Sequence, residues 1–100
     1  MLLLDEPAAG LDVAGREQLL ASISDLSHQR PALAAVVVTH HLEELPVSTS
    51  NALLLRDGRM LAAGPATEVL TSARVSACFA HPVAVSRTAG RWTCVAQPAR

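Results

Sequence analysis

Two acidic residues in succession, Asp5 and Glu6, end an unbroken apolar run, Met1-Leu2-Leu3-Leu4, and are followed by Pro7. A carboxylate at the tip of a buried strand is held rigidly. Beside a phosphate site, Asp5 suits Mg²⁺, chiefly through water, because that ion keeps several of its waters and takes few protein carboxylates. Glu6, one residue on, points differently and has the chemistry to orient or deprotonate an attacking water. The plainer reading is that the pair ends a strand and begins a turn, and the pair alone does not choose between the two. It does not stand alone. Ala9-Gly10-Leu11-Asp12 follows at once, and a second apolar run, Ala34–Val38, ends at Thr39-His40-His41.

The elements that must carry these residues are legible from pattern. Each run is short and apolar on both faces, which is how a strand reads when helices cover both sides of a parallel sheet. Val36-Val37-Val38 favours strand over buried helix, because β-branched side chains are stiff. Between the runs, Leu19, Ile23 and Leu26 recur at helical spacing with Leu20 widening the stripe, while Arg16, Glu17, Ser24 and Asp25 fall elsewhere. Asp12 is a natural N-cap, and Pro31 marks the stop, with His28 and Arg30 near the negative end. Strand, helix, strand reads as one βαβ crossover. Both strands then point the same way, so Asp5, Glu6 and His40 emerge at the carboxyl edge of the sheet, where open α/β folds bind ligands. Leu42-Glu43-Glu44-Leu45 reads as a helical turn closed by Pro46. Ala52–Arg56 and Arg59–Ala62 flank Asp57-Gly58, a strong hairpin signal, and Gly64-Pro65 opens a short helix to about Leu70. From Ser72 no helical stripe is sustained, and Val83–Ser86 with Trp92–Ala96 forms a second hairpin around Thr88-Ala89-Gly90, with Arg87 and Arg91 on a solvated surface. There is no internal repeat and no low-complexity tract.

In this order and spacing, the chain resembles the nucleotide-binding subunits of ABC transporters. There the Walker B strand ends in Asp-Glu-Pro, a D-loop with Gly-Leu-Asp follows, and a switch histidine ends the next strand after Thr. The later Leu55-Arg56-Asp57-Gly58-Arg59 hairpin, Gly64 and Glu68-Val69-Leu70 fit the same family, so the resemblance runs from Leu2 to about Leu70. It implies that Asp5 is the Mg²⁺-associated aspartate and Glu6 the catalytic glutamate. It implies that Asp12 is the D-loop aspartate that reaches across a dimer toward the partner's phosphate loop, while also capping its helix. His40 is then the switch histidine that contacts the γ-phosphate, and His41 has no role. The run His40-His41-Leu42-Glu43-Glu44-Leu45-Pro46 looks most like a branch related to iron-chelate, haem or molybdate importers. The implied cofactors are ATP and Mg²⁺ in the complete domain. The implied partners are a membrane permease and a second nucleotide-binding subunit, and the implied location is cytoplasmic, peripheral to the membrane through the permease.

The departures matter equally. Such ATPases cradle the triphosphate in a Gly-rich loop with a lysine on the phosphates and a Ser or Thr on Mg²⁺. The chain has no G-x-x-x-x-G-K-[ST], and its eight basic residues are all arginine. The Q-loop and LSGGQ signature are missing too. The expectation is therefore a partial P-loop NTPase-like α/β sheet, a βαβ unit followed by a β-hairpin and short helix. Residues 1–74 would be the C-terminal portion of an ABC-type nucleotide-binding domain and 75–100 an extension. Met1 as an internal methionine read as a start and a truncated gene both remain open, and DNA directly upstream would separate them. The alternative function is a non-catalytic remnant or interaction fragment.

A small Cys/His metal module is a third reading, carried by Cys78-Phe79-Ala80-His81 with Cys94 and the histidine pair as further ligands. A zinc site normally shows two paired ligand sets, and buried small hydrophobe is the better reading of both cysteines. No nucleophile elbow surrounds any serine. Composition narrows the classes further. One hundred residues, half of them apolar, make at most one small domain, which buries about 65% of its unfolded surface. A net charge of −1 gives no basic field for nucleic acid, and Trp92 and Phe79 are too few for a stacking platform. No apolar run is long enough to span a bilayer, and the opening run, cut short by Asp5-Glu6 with no preceding basic residue, is not a signal peptide. Two cysteines fit a reducing compartment. The unpaired edge of a partial sheet predicts poor solubility.

Overall fold

Three successive β-branched residues crowd a helix and suit a pleated strand. The computed structural model, which describes residues 1–98, extends the chain there. Strands β1 (Leu2–Asp5) and β2 (Ala35–Val38) run parallel, with Leu2 opposite Ala35 and Asp5 opposite Val38. Two bonds lengthen the ladder, Leu2 N–H to Ala34 O at 2.8 Å and Glu6 N–H to Val38 O at 2.7 Å. The connection is helix α1 (Val13–Gln29), so the expected βαβ unit is present.

Asp12 starts α1 because its carboxylate oxygen accepts from the Gly15 N–H at 2.8 Å, satisfying one of the orphan donors of the first turn. The helix stops one residue short of Arg30, whose own N–H bonds back to Leu26 O ahead of Pro31. His28 Nδ1 donates to Ser24 O at 2.8 Å near the negative end. Its buried face is Leu20, Ile23 and Ser24, with Leu19 and Leu26 half-buried. Ser24 thus lies on the inward face and not, as its polarity suggested, outside the stripe. Positions 20, 23 and 24 are one helical face, and the hydroxyl meets its needs by donating to Ser48 Oγ at 3.2 Å. Asp12→Ala should cost about 1 kcal/mol of stability, read as a lower urea midpoint, while Asp12→Ser should retain most of it.

Strand residues alternate in direction, so Leu3, Asp5, Val36 and Val38 share one face of the pair. All four are exposed, whereas Leu2, Leu4 and Val37 on the other face are half-buried. The sheet is therefore bare on one side, although both faces read as buried in the sequence. A single-turn 3₁₀ helix, Leu42–Glu44, follows β2 and buries Leu42.

The chain divides into two compact units, Met1–Ser48 and a second beginning at Thr49. In the second, β3 (Asn51–Arg56) and β4 (Arg59–Pro65) pair antiparallel around Asp57 and Gly58, both at positive φ, as the two-residue turn requires. Gly64 and Pro65 belong to β4, so the short helix α2 is only Ala66–Val69. Helix α3 (Ser72–Phe79) forms where the sequence sustains no helical stripe. Two turns are too short to show a stripe. Its signals are the Thr71 cap, which accepts from Arg74 N–H at 3.2 Å, and the single buried anchor Val75.

The second hairpin, β5 (Val83–Thr88) and β6 (Arg91–Ala96), is longer than expected, because Ala89 and Gly90 turn tightly at positive φ. Serines of α3 stitch it to β5: the Val83 N–H donates to Ser76 Oγ and the Val85 N–H to Ser72 Oγ, each at 2.9 Å. Arg87 lies over the buried Trp92 ring at 4.9 Å, and Arg91 is half-buried, so this arginine pair is not simply solvated.

Candidate functional site

Glu6 is the first residue beyond the β1 ladder and holds φ at +50°. A left-handed backbone costs a non-glycine residue about 1–2 kcal/mol, and a following proline restricts Glu6 further. Such outliers collect at functional sites, where strain is sustained by surrounding bonds. Here the Glu6 N–H remains tied to Val38 O while the residue turns. Had the strand continued, the Glu6 side chain would have lain opposite Asp5. The turn instead sets its carboxylate against the His40 ring, and Glu6 Oε1 accepts from His40 Nδ1.

The Glu6 side chain is 30% exposed and that of His40 81%. A pair so open to water contributes about 0–1 kcal/mol to stability, so packing does not account for it. Two residues 34 apart in sequence meet because parallel strands deliver both to one edge. Asp5 precedes Glu6 and lies on the bare sheet face. Asp12 stands apart from this contact, its carboxylate occupied by the Gly15 N–H of its own helix. The structure thus brings Glu6 and His40 together, leaves Asp5 beside them along the chain, and places Asp12 at the α1 cap. His41 is exposed, and its backbone N–H donates to Thr39 Oγ1 at 3.1 Å.

Sequence reasoning missed Thr39 and Glu44. The Thr39 hydroxyl donates to Glu44 Oε2 at 2.5 Å, which joins the end of β2 to the 3₁₀ turn. A Thr accepting from the N–H two residues on is a recognisable turn device and was the available signal.

A single exposed carboxylate fits an ion that keeps its own waters, so Asp5 suits Mg²⁺. The donor set does not fit a triphosphate, for which carboxylates and one imidazole offer no cradle. The Cys/His metal reading gains nothing. Cys78 Sγ donates to Leu55 O at 3.1 Å and His81 Nε2 to Gln97 O at 3.1 Å. Both cysteines are half-buried, not buried as expected. Among the described residues, no three His, Cys, Asp or Glu side chains are placed to share a metal ion.

No family model matches the chain. Over 85 residues it is 40% identical to an uncharacterized ABC transporter ATP-binding protein, YlmA, of Bacillus subtilis, an alignment covering 85% of this chain and 32% of that protein. The chain is homologous to part of an ABC transporter ATP-binding protein. A molybdenum import ATP-binding protein, ModC, of Aromatoleum aromaticum is 42% identical over 81 residues, which are 81% of this chain and 21% of ModC. The chain therefore spans about a third or less of the length of these relatives. A solved structure described as an inward-facing putative metal-chelate type ABC transporter matches with a TM-score of 0.75 and 26% identity, over 98% of this chain and 39% of that one. The α/β arrangement is that of part of an ABC ATPase domain, as the motif order implied. Among the described residues, no helix is long and apolar enough to cross a membrane.

Proposed function

We propose that the chain carries the Walker B, D-loop and switch-histidine portion of an ABC-type ATP-binding subunit, whose complete domain couples ATP hydrolysis to transport through a membrane permease. Residues 1–74 would belong to that domain and 75–100 extend it. In a complete subunit, where a phosphate loop would hold the nucleotide, Asp5 would hold Mg²⁺ through water, Glu6 would accept a proton from the attacking water, and His40 would face the terminal phosphate as a hydrogen-bond donor. Asp12 approaches a second nucleotide-binding subunit from the α1 cap. The complete protein works in the cytoplasm against the membrane. The observation that carries this reading is the Glu6–His40 contact at the carboxyl ends of two parallel strands. The relatives' names support the transport setting, since they include molybdenum and cobalt import ATP-binding proteins.

The chain alone is inactive on this reading, because these residues include no lysine and no Gly-rich phosphate loop. That same composition favours a second reading, a non-catalytic remnant that binds nothing by itself. The two separate in a polypeptide completed with a phosphate loop and signature motif. There, His40→Ala should suppress ATP hydrolysis by about 10²-fold or more, as loss of a transition-state donor does. His41→Ala should be mild, because only His40 reaches Glu6. Equal losses from both substitutions, in steady-state phosphate release, would contradict the assignment, and an inert completed protein would favour the remnant.

A further inference from the structure

Thr39 has one hydroxyl proton and room to accept, and the structure uses both. Its Oγ1 accepts from the His41 N–H at 3.1 Å and donates to Glu44 Oε2 at 2.5 Å. The other oxygen nearby, His41 O at 3.5 Å, is too far to compete for the single proton. An O–H···O⁻ bond of 2.5 Å lies in the charge-assisted range, about twice as strong as a neutral one. Glu44 is in turn fixed by its own turn, where its N–H donates to His41 O at 3.0 Å and Leu42 is buried. Residues 39–44 thus form a closed loop of hydrogen bonds around His40. On the other side, Val38 O is tied to the Glu6 N–H.

The His40 side chain is 81% exposed, so packing does not hold its ring. Its direction depends on the backbone on either side, which this loop sets. We propose that Glu44, acting through the Thr39 hydroxyl, is a positioning residue that aims the His40 imidazole at the Glu6 carboxylate. The consequence for hydrolysis rests on the proposed role of His40. The geometry itself is testable without nucleotide.

The test is NMR on the isotope-labelled hundred-residue chain, reading cross-relaxation between His40 ring protons and Glu6 side-chain protons, and hydrogen exchange at the His41 amide. Glu44→Ala should remove the His40–Glu6 cross-peaks and speed His41 exchange about tenfold, the scale expected for one lost charge-assisted bond. Glu44→Gln should retain both signals, because its amide oxygen still accepts from Thr39. A merely structural role for Glu44 would not show this rescue while α1 amides stay protected in every variant. Where Glu44→Ala unfolds the first unit, Thr39→Val against Thr39→Ser decides, the first expected to lose the cross-peaks and the second to keep them. Cross-peaks that persist in Glu44→Ala and Thr39→Val, or vanish equally in Glu44→Ala and Glu44→Gln, overturn the proposal. An inert completed ATPase would instead count against the functional reading and leave these signals unchanged.

Discussion

Glu6→Gln, in a polypeptide completed with the phosphate loop and signature motif, should leave ATP binding intact and lower turnover by about 10²–10⁴-fold, the usual worth of a positioned general base. In the role proposed for it, the carboxylate acts on the attacking water as the transition state forms, and not on bound nucleotide, so the loss should fall on kcat and spare affinity. Gln is nearly isosteric, and its amide oxygen can still accept from His40 Nδ1, so the contact between the two strand ends survives. What disappears is the capacity to take a proton. Glu6 is partly exposed and its ion pair adds little stability, so unfolding does not compete as an explanation. The measurement is equilibrium nucleotide binding beside steady-state phosphate release on the same preparation. Turnover near wild type would remove Glu6 from the mechanism, and a parallel loss of affinity would move its role to binding.

The parallel pair, the helix between its strands and the Asp12 cap could all be read from residue types. Each depends on local chemistry: β-branched runs, a capping carboxylate, a proline stop. The Asp57-Gly58 turn was legible for the same reason, since two successive positive φ values demand such residues. The bare face of β1 and β2 was not. A strand apolar on both sides signals what the sequence is built to bury, whereas Leu3, Val36 and Val38 report what these residues cover. Helix α3 was hidden because eight residues with one buried anchor show no period.

At the site, motif order placed Glu6 and His40 at one sheet edge, but their contact depends on the left-handed backbone at Glu6. No propensity puts a glutamate there, least of all before a proline. Glu44 was read only as part of a turn, because its partner is a hydroxyl five residues away across the end of β2. Side-chain bonds of that kind have no periodic signature.

Isothermal titration of the hundred-residue chain with MgATP should show no saturable binding in the micromolar range. Micromolar affinity needs about 8 kcal/mol, and a single charge-assisted hydrogen bond supplies about 1.5–3 kcal/mol. The nearby groups are poorly placed to make up the difference. Asp5 and Glu6 are carboxylates that repel a bare triphosphate, and His40 Nδ1 already donates a hydrogen bond to Glu6. In the same unit, Arg16 is paired with Glu17 at 3.0 Å. Mg²⁺ bridging through Asp5 adds little, because this ion keeps its waters and binds chiefly through phosphates that are already held. The N-terminus of α1 is no substitute cradle, since the Asp12 carboxylate occupies the Gly15 N–H and would face any anion with like charge. Favourable phosphate binding requires a nest of backbone N–H groups together with a cation, and these residues supply neither at the β1–β2 edge. Saturable micromolar heat would mean that the triphosphate is held elsewhere on the chain, and the assignment of Asp5, Glu6 and His40 to its terminal phosphate would fall with it.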